Sequence, residues 1–298
     1  MFLRALLRTA LLGLCFVVAA RAAEFDSKPI DAIFDRTPVQ ADGVYRYGFP
    51  RSDLNVTVDG VALKPALALG GWVAFKPMHG QATIMGDLVL TESEVNPVVT
   101  KLIAGGVEAT ALHNHLLRAS PAIFYLHVGG RGDPVKMAET IRAALALTKT
   151  PFARPAPSSG EPQPLDLDAA KIDEVLGAKG KVNGGVYQFA IPRADKVTES
   201  GMVVPAAMGS ANVVNFQPTG DGKAAITGDI AALATEVAPL TAALRASAIE
   251  VTAIHSHMLS EEPRTFYVHF WAHDDALKLA QAMRNALEKT NVALKGKT

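Results

Sequence analysis

The chain has 298 residues, of which 49% are hydrophobic and 19% are charged, and its 29 basic and 29 acidic residues cancel. This composition excludes a disordered or fibrous protein, and the length suffices for two domains that each bury a core. The basic residues form no stripe, which argues against nucleic acid as a partner.

The first 23 residues have the pattern of a secretory signal peptide. Arg4 and Arg8 precede an apolar run that ends near Ala20, and Ala20-Arg21-Ala22 supplies a small-residue cleavage pattern. The apolar run is shorter than the roughly 20 residues that cross a bilayer. We therefore expect an exported protein, periplasmic or secreted, with no transmembrane segment after cleavage.

Cysteine usage agrees with this expectation. The single cysteine, Cys15, lies inside the signal segment, and the large Leu14 precedes it where a lipoprotein signal has a small residue. The mature chain is therefore predicted to contain neither a disulfide nor a lipid anchor, so that each core must be stable by itself.

The sequence repeats itself at an offset of 142 residues. Gly43-Val44-Tyr45 matches Gly185-Val186-Tyr187, and residues 107–150 align without a gap with residues 249–292. Each unit is far longer than a solenoid repeat. We predict two tandem domains, 24–150 and 166–298, joined by a proline-rich linker over 151–165.

The first half of each copy reads as a short helix followed by strands. In the first copy the helix is expected around Ile30–Phe34, and the strands at Val44–Phe49, Leu54–Val58, Trp72–Lys76 and Ala82–Leu90. Gly86-Asp87 in the last strand indicates a β-bulge or a close approach of another backbone.

The second half reads as helix, two strands and helix. Thr91 and Glu94 form a capping box, and a main helix is expected to start beside Asn96 and to end at Gly105-Gly106. Strands are expected at 107–116 and 122–128, and Asp133-Pro134 then begins an amphipathic helix. The order predicts an α+β fold, with a mainly antiparallel sheet packed with about two helices in each copy.

A cluster of histidines is the main candidate site. His113 and His115 are two apart on one predicted strand, and Tyr125 and His127 lie on the next. If residue 113 lies opposite 125 and residue 111 opposite 127, all four side chains share one face of the sheet. The second copy offers the equivalent residues, so one site per copy is expected: His255, His257, Tyr267 and His269.

Three imidazoles on neighbouring strands suit a metal ion. They can bind zinc or another divalent transition metal and leave a fourth position for water or substrate, and a bound water becomes a nucleophile at neutral pH. Without a metal, the same histidines can hold a small polar ligand, act as general acid or base, or form a structural hydrogen-bond network.

Two further pairs are weaker candidates for ligand binding, beside Tyr125 and Tyr267. Asp87 and Asp229 place a charge in the middle of a strand. Arg51 and Arg193 each precede an aspartate by two residues, and either bind a carboxylate or pair with that aspartate across a loop. His79 and His273 have no histidine counterpart in the other copy and are not site candidates.

Three segments of the first copy resemble a known family. They are Tyr45-x-x-x-x-Pro50-Arg51-Ser-Asp53-Leu54, Met85-Gly86-Asp87 through Pro97-Val98, and Thr110-Ala-Leu-His113-Asn-His115. These segments resemble the bacterial LppY/LpqO family, a domain of unknown function (DUF1259) often duplicated in exported proteins or lipoproteins. The resemblance implies export and duplication, and it implies no activity.

The sequence leaves three functions open. The first is a binding module for a transition metal or small polar ligand on the histidine face of each copy. The second is a metal-dependent hydrolase with a three-histidine site. The third is a structural protein of the cell envelope, in which the histidines fill polar positions of the sheet.

Overall fold

The computed structural model describes residues 25–152 and 165–294. The predicted signal peptide at 1–23 and nearly all of the predicted linker at 151–165 lie outside these ranges. Within them, two tandem domains each contain a six-stranded antiparallel sheet with helices, which confirms the predicted α+β fold.

The first copy contains eight strands and four helices among its described residues. In chain order they are α1 (Lys28–Phe34), β1 (Val39–Ala41), β2 (Val44–Pro50), β3 (Thr57–Val58), β4 (Val61–Ala62), α2 (Pro65–Ala68), β5 (Gly70–Met78), β6 (Gln81–Thr91), α3 (Glu92–Ala104), β7 (Glu108–His113), β8 (Ile123–Gly132) and α4 (Pro134–Leu145).

The second copy repeats this order, with a short 3₁₀ helix in place of the second helix. Its elements are α5 (Ala169–Leu176), β9 (Lys181–Asn183), β10 (Val186–Ile191), β11 (Thr198–Glu199), β12 (Met202–Val203), the 3₁₀ helix (Ala206–Met208), β13 (Asn212–Gly220), β14 (Lys223–Leu233), α6 (Ala234–Ala246), β15 (Glu250–His255), β16 (Thr265–Asp275) and α7 (Ala276–Leu287).

The two main sheets have equivalent strand orders, β1-β2-β5-β6-β8-β7 and β9-β10-β13-β14-β16-β15. His113 lies opposite Tyr125 and Ala111 opposite His127, and the second copy has the same register at His255 and Tyr267. The predicted hairpin register is therefore confirmed. Since directly opposed residues point the same way, His113 and His127 share one face of their sheet, as do their equivalents. The strand predicted to residue 116 ends at His113, and His115 beyond it reaches the same face, where its ring stacks on that of Tyr125.

The helices of each copy cover the other face of its own sheet. In the first copy, Phe75, Ile84 and Leu126 point from the strands into a core that Ile30 and Ile141 complete from the helices. The second copy has an equivalent core around Phe216, Ile226 and Val268. Burial of these apolar side chains is the main stabilising contribution within each copy.

The histidine-bearing face of each sheet is covered by the other copy. The segment around Leu67 of the first copy packs against Ala225 and Trp271 of the second. The segment around Met208 of the second copy packs in turn against Ala74 and Met85 of the first. Both faces of each sheet are therefore buried, and the two copies lie against each other through their histidine faces.

The main helix of the first copy begins earlier than predicted. Glu94 accepts a hydrogen bond from the Thr91 backbone at 2.8 Å, and the capping box sets the start of α3 at Glu92 rather than beside Asn96. Pro97 therefore lies inside α3, where its missing N–H removes only the bond to the Ser93 carbonyl, one turn from the helix start.

Gly86 and Gly228 mark a close backbone approach and not a bulge. The register of β6 with its neighbours runs through Gly86 without a shift. A Cβ atom at Gly86 would lie 2.7 Å from the Trp72 carbonyl oxygen, and one at Gly228 would lie 1.9 Å from the Val213 carbonyl oxygen. Glycine at these positions lets the neighbouring strand approach the strand that carries Asp87 or Asp229.

We predict that Gly228→Ala lowers the free energy of unfolding by about 1–3 kcal/mol, because the added methyl group would overlap the Val213 backbone of the neighbouring strand. Chemical denaturation measures the change. Gly48→Ala is the matched control, since Gly48 also lies in a strand and nothing lies within 4 Å of its added Cβ. Equal stability of both variants would contradict the close approach.

Candidate functional site

The six clustered histidines of the two copies form one group at the interface between the copies. Thr110 on β7 donates a hydrogen bond to the His257 carbonyl at 2.7 Å, and Thr252 on β15 donates to the His115 carbonyl at 2.6 Å. These reciprocal bonds bring the edge strands β7 and β15 side by side. The expectation of one separate site in each copy is therefore wrong: both histidine sets meet in a single cluster.

The imidazole rings stack in three pairs, each with one member from either copy. The ring centroids are 3.5 Å apart for His113 and His255, 3.8 Å for His115 and His269, and 4.0 Å for His127 and His257. At the 142-residue offset, His113 corresponds to His255, so the first pair joins equivalent residues. The offset turns the second pair into the third, because His115 corresponds to His257 and His127 to His269. The cluster thus has an approximate twofold symmetry that relates the two copies.

Two tyrosines close the ends of this stack. The Tyr125 ring lies 3.4 Å from the His115 ring, and the Tyr267 ring lies 3.3 Å from the His257 ring. The Tyr125 hydroxyl donates to the Ala68 carbonyl at 2.8 Å. The buried Tyr267 hydroxyl has no hydrogen-bond partner among the described residues. Both tyrosines contact the cluster through their rings, as their sequence positions predicted.

Many ring nitrogens of the cluster are buried without a hydrogen-bond partner in the described parts of the chain. They are both nitrogens of His113 and of His269, Nε2 of His115, Nδ1 of His255 and Nε2 of His257. Buried polar atoms are nearly always hydrogen-bonded in folded proteins, so these nitrogens are available to a further partner.

Nitrogens from both copies come close enough to bind one ion. Within each of several groups, one ligand atom per residue lies within 4.8 Å of every other. The groups are His113, His115 and His269; His113, His127 and His255; His255, His257 and His269; and Asp87, His115 and His127. Two of these four groups draw on both copies.

Burial keeps the imidazoles in their neutral form. It lowers the pKa of His113 to about 4 and, together with the charge of His113, lowers that of His255 to about 3. The pKa values of the other four are well below the ordinary value, first through burial and then through repulsion by their neighbours. Neutral imidazole is the form that binds metals.

Asp87 and Asp229 border the cluster at equivalent positions. Asp87 Oδ2 lies 3.8 Å from Nε2 of His115, and Asp229 Oδ2 lies 3.6 Å from Nε2 of His257. Burial raises the pKa of Asp229 to about 7, and burial with the charge of Asp229 raises that of Asp87 well above its usual range. The structure therefore brings both predicted aspartates to the histidines.

Arg46 is a charged residue of this site that the sequence reading missed. Burial lowers its pKa to about 10, against the opposing charges of Asp87 and Asp229. Its guanidinium lies 3.6 Å from the Trp72 ring centroid and donates to the Ala207 carbonyl at 2.9 Å. The only sequence signal was an arginine within a strand, at a position where the second copy has Gln188.

The described residues around the cluster fix the tautomer of one histidine. His257 Nδ1 lies 3.2 Å from the Gly209 carbonyl oxygen. Because a carbonyl only accepts, Nδ1 carries the proton and Nε2 of the neutral ring presents a lone pair. That lone pair faces the Asp229 carboxylate at 3.6 Å, a separation too long for a hydrogen bond.

The comparisons with known proteins identify a family. The family model described as Domain of Unknown Function (DUF1259) matches residues 28–147 and 170–289, which together make up most of the chain. The protein belongs to the DUF1259 family. No curated protein matches the chain.

Two solved structures are similar to the DUF1259 chain only at a low level. The double-ringed trimeric shell protein MSM0271 from the RMM microcompartment is 12% identical, with 71% of this chain and 84% of that chain covered and a TM-score of 0.21. The trimeric bacterial microcompartment shell protein PduB is 12% identical, with 87% and 96% covered and a TM-score of 0.22. Scores this low support no conclusion about fold or function.

Helices of the described DUF1259 domains are too short or too polar to cross a bilayer. The residues of the signal peptide itself lie outside the described ranges.

The arginines predicted as weaker ligand-binding candidates have protein partners instead. The Arg51 guanidinium is 1% exposed and donates to both oxygens of Asp53 at 2.9 Å, to Glu94 at 2.7 Å and to the Val89 carbonyl at 2.8 Å. Arg193 bonds equivalently to Asp195, Glu236 and the Ala231 carbonyl. These contacts favour the ion pair with the neighbouring aspartate over ligand binding.

We predict that Arg51→Met or Arg193→Met lowers the free energy of unfolding by about 3–5 kcal/mol, because either change leaves buried carboxylates without their cation. Chemical denaturation measures the loss. Lys278→Met, which removes an exposed pair with Asp274, is the control and should change stability little. A stable Arg51→Met variant with altered ligand binding would instead support the ligand role.

Proposed function

We propose that this DUF1259 protein is a metal-binding module that holds a transition-metal ion with imidazole nitrogens from both copies. The observation that carries the proposal is the convergence of six histidines, three buried and three half-buried, with seven ring nitrogens that lack a hydrogen-bond partner among the described residues. A metal ion would satisfy several of these nitrogens at once.

The pairing of His257 with Asp229 supports a cation in particular. The Nε2 lone pair of His257 and the carboxyl group of Asp229 face each other at 3.6 Å without a hydrogen bond between them. An ion between them would bind to both. The bond from Nδ1 to the Gly209 carbonyl is the kind of outer contact that orients a metal-binding histidine.

The donor set favours particular ions. Imidazole suits zinc, copper, nickel and iron, whereas calcium and magnesium prefer oxygen ligands. Six imidazoles and two carboxylates therefore favour a transition-metal ion, with zinc as the first to test.

Burial favours binding over hydrolysis. A catalytic zinc site keeps one position open to substrate. Here His127, His257 and His269 are 2–4% exposed, His113, His115 and His255 are half-buried, and the other copy covers the face on which all six lie. The purely structural alternative predicts hydrogen-bonded histidines, which the unpartnered nitrogens do not support.

We propose in addition that the protein is exported, on the pattern of its first 23 residues. The mass of the full-length gene product after expression in a bacterial host tests this proposal. Cleavage near Ala22 or Ala23 and recovery outside the cytoplasm are expected; an uncleaved chain in the cytoplasm would contradict export.

We predict that protein purified without a histidine tag contains zinc, copper or nickel by elemental analysis, and that His113→Gln with His255→Gln removes most of it. Returning zinc to metal-free protein should stabilise the fold by about 2.7 kcal/mol at a free concentration 100 times the Kd. Thermal unfolding with and without zinc measures this effect.

The matched control is His79→Gln with His273→Gln, which removes two histidines from outside the cluster and should leave the metal content unchanged. Absence of bound metal, together with no stabilisation of metal-free protein by zinc, copper or nickel, would contradict the proposed function.

A further inference from the structure

We infer that the cluster is a dinuclear centre with two metal positions, each formed by histidines from both copies. This inference rests on the proposed metal binding and adds the number of ions and the ligands of each. The first position comprises His113, His115 and His269. The second comprises their equivalents at the 142-residue offset, His255, His257 and His127, which we assign from the symmetry and from the contacts of His127 with the other two.

The symmetry of the ring pairs separates the two positions. The pair His115 and His269 and the pair His127 and His257 exchange under the twofold relation of the copies, and each contains one residue from either copy. His113 and His255 lie between them, stacked on each other at 3.5 Å. A set of metal ligands that includes His115 and His269 is therefore matched by an equivalent set that includes His127 and His257.

The first position is visible as a set of three converging nitrogens. Those of His113, His115 and His269 lie within 4.8 Å of one another. Both nitrogens of His113 and of His269, and Nε2 of His115, are buried without a hydrogen-bond partner among the described residues. All three rings therefore have a lone pair to offer.

In the second position, Nε2 of His127 and Nε2 of His255 lie 3.3 Å apart, within hydrogen-bond distance of each other. Two nitrogens that bind one tetrahedral zinc at 2.0–2.1 Å are separated by about 3.3–3.4 Å, so the same separation suits a shared ion in place of the hydrogen bond. His255 also groups with His257, whose Nε2 is unpartnered.

One carboxylate accompanies each position. Asp87 lies beside His115 of the first, and Asp229 lies beside His257 of the second. Oδ1 of Asp87 has no hydrogen-bond partner in the described ranges. Six imidazoles and two carboxylates supply eight donors, the number that two four-coordinate ions require.

A single ion would leave half of this set unused. A tetrahedral ion at the first position binds four donors and leaves Nδ1 of His255 and Nε2 of His257 without partners, which is unfavourable. Two ions related by the symmetry of the copies satisfy all eight.

Equilibrium dialysis of the metal-free full-length protein against Zn²⁺, followed by elemental analysis, tests the inference. We expect two Zn²⁺ per chain in the wild type. His115→Gln and His257→Gln should each retain one Zn²⁺, because each change disrupts one position and leaves the ligands of the other. The double variant should bind none. Titration with Co²⁺, followed by its visible absorption, should give the same numbers.

The outcomes separate this inference from the proposed function. One Zn²⁺ per chain in the wild type, lost in both single variants, would overturn the dinuclear centre and leave metal binding intact. No Zn²⁺ in the folded wild type would overturn both.

Circular dichroism checks that each variant is folded. If a histidine variant is not, the single variants Asp87→Asn and Asp229→Asn give a second test. Each of them should weaken the binding of one Zn²⁺, whereas the control His273→Gln should bind two Zn²⁺ at full affinity.

Discussion

The burial of each sheet's second face against the other copy is the constraint on which the site depends. One face of each sheet packs on its own helices, and the opposite face carries the histidines. Segments around Leu67 and Met208 cross to the other copy and cover that face reciprocally. A duplicated domain thereby turns two half-exposed polar surfaces into one interior, and a single copy would leave its histidines without their stacking partners.

Low solvent access then determines the chemistry of the cluster. Desolvation lowers the pKa of each histidine and raises that of Asp87 and Asp229, so that the imidazoles are neutral. Neutral imidazoles with buried lone pairs are costly unless they bind something. Burial therefore makes the histidine cluster destabilising when it binds nothing, and it also makes the cluster an effective set of metal ligands.

The sequence predicts what depends on neighbours along the chain. Hairpin length determined the register of His113 with Tyr125, and the Thr91 and Glu94 pattern predicted a helix cap. The convergence of His127 with His255 depends on a contact across 128 residues, which no local pattern encodes. Arg46 was missed for the same reason, because its partners in the second copy are visible only when the copies are packed together. The helix starts at Glu92 and not beside Asn96, because the capping box at Thr91 and Glu94 fixes its first turn and Pro97 is tolerated inside it.

The most direct test of the central claim, a metal centre shared by the two copies, is anomalous diffraction at the zinc edge from crystals of the zinc-loaded protein. The account predicts zinc peaks beside the stacked rings, in line with their ring nitrogens and bonded to histidines from both copies, for example to His113 and His269 together. Zinc bound entirely within one copy, or no peak among these six histidines, would contradict it.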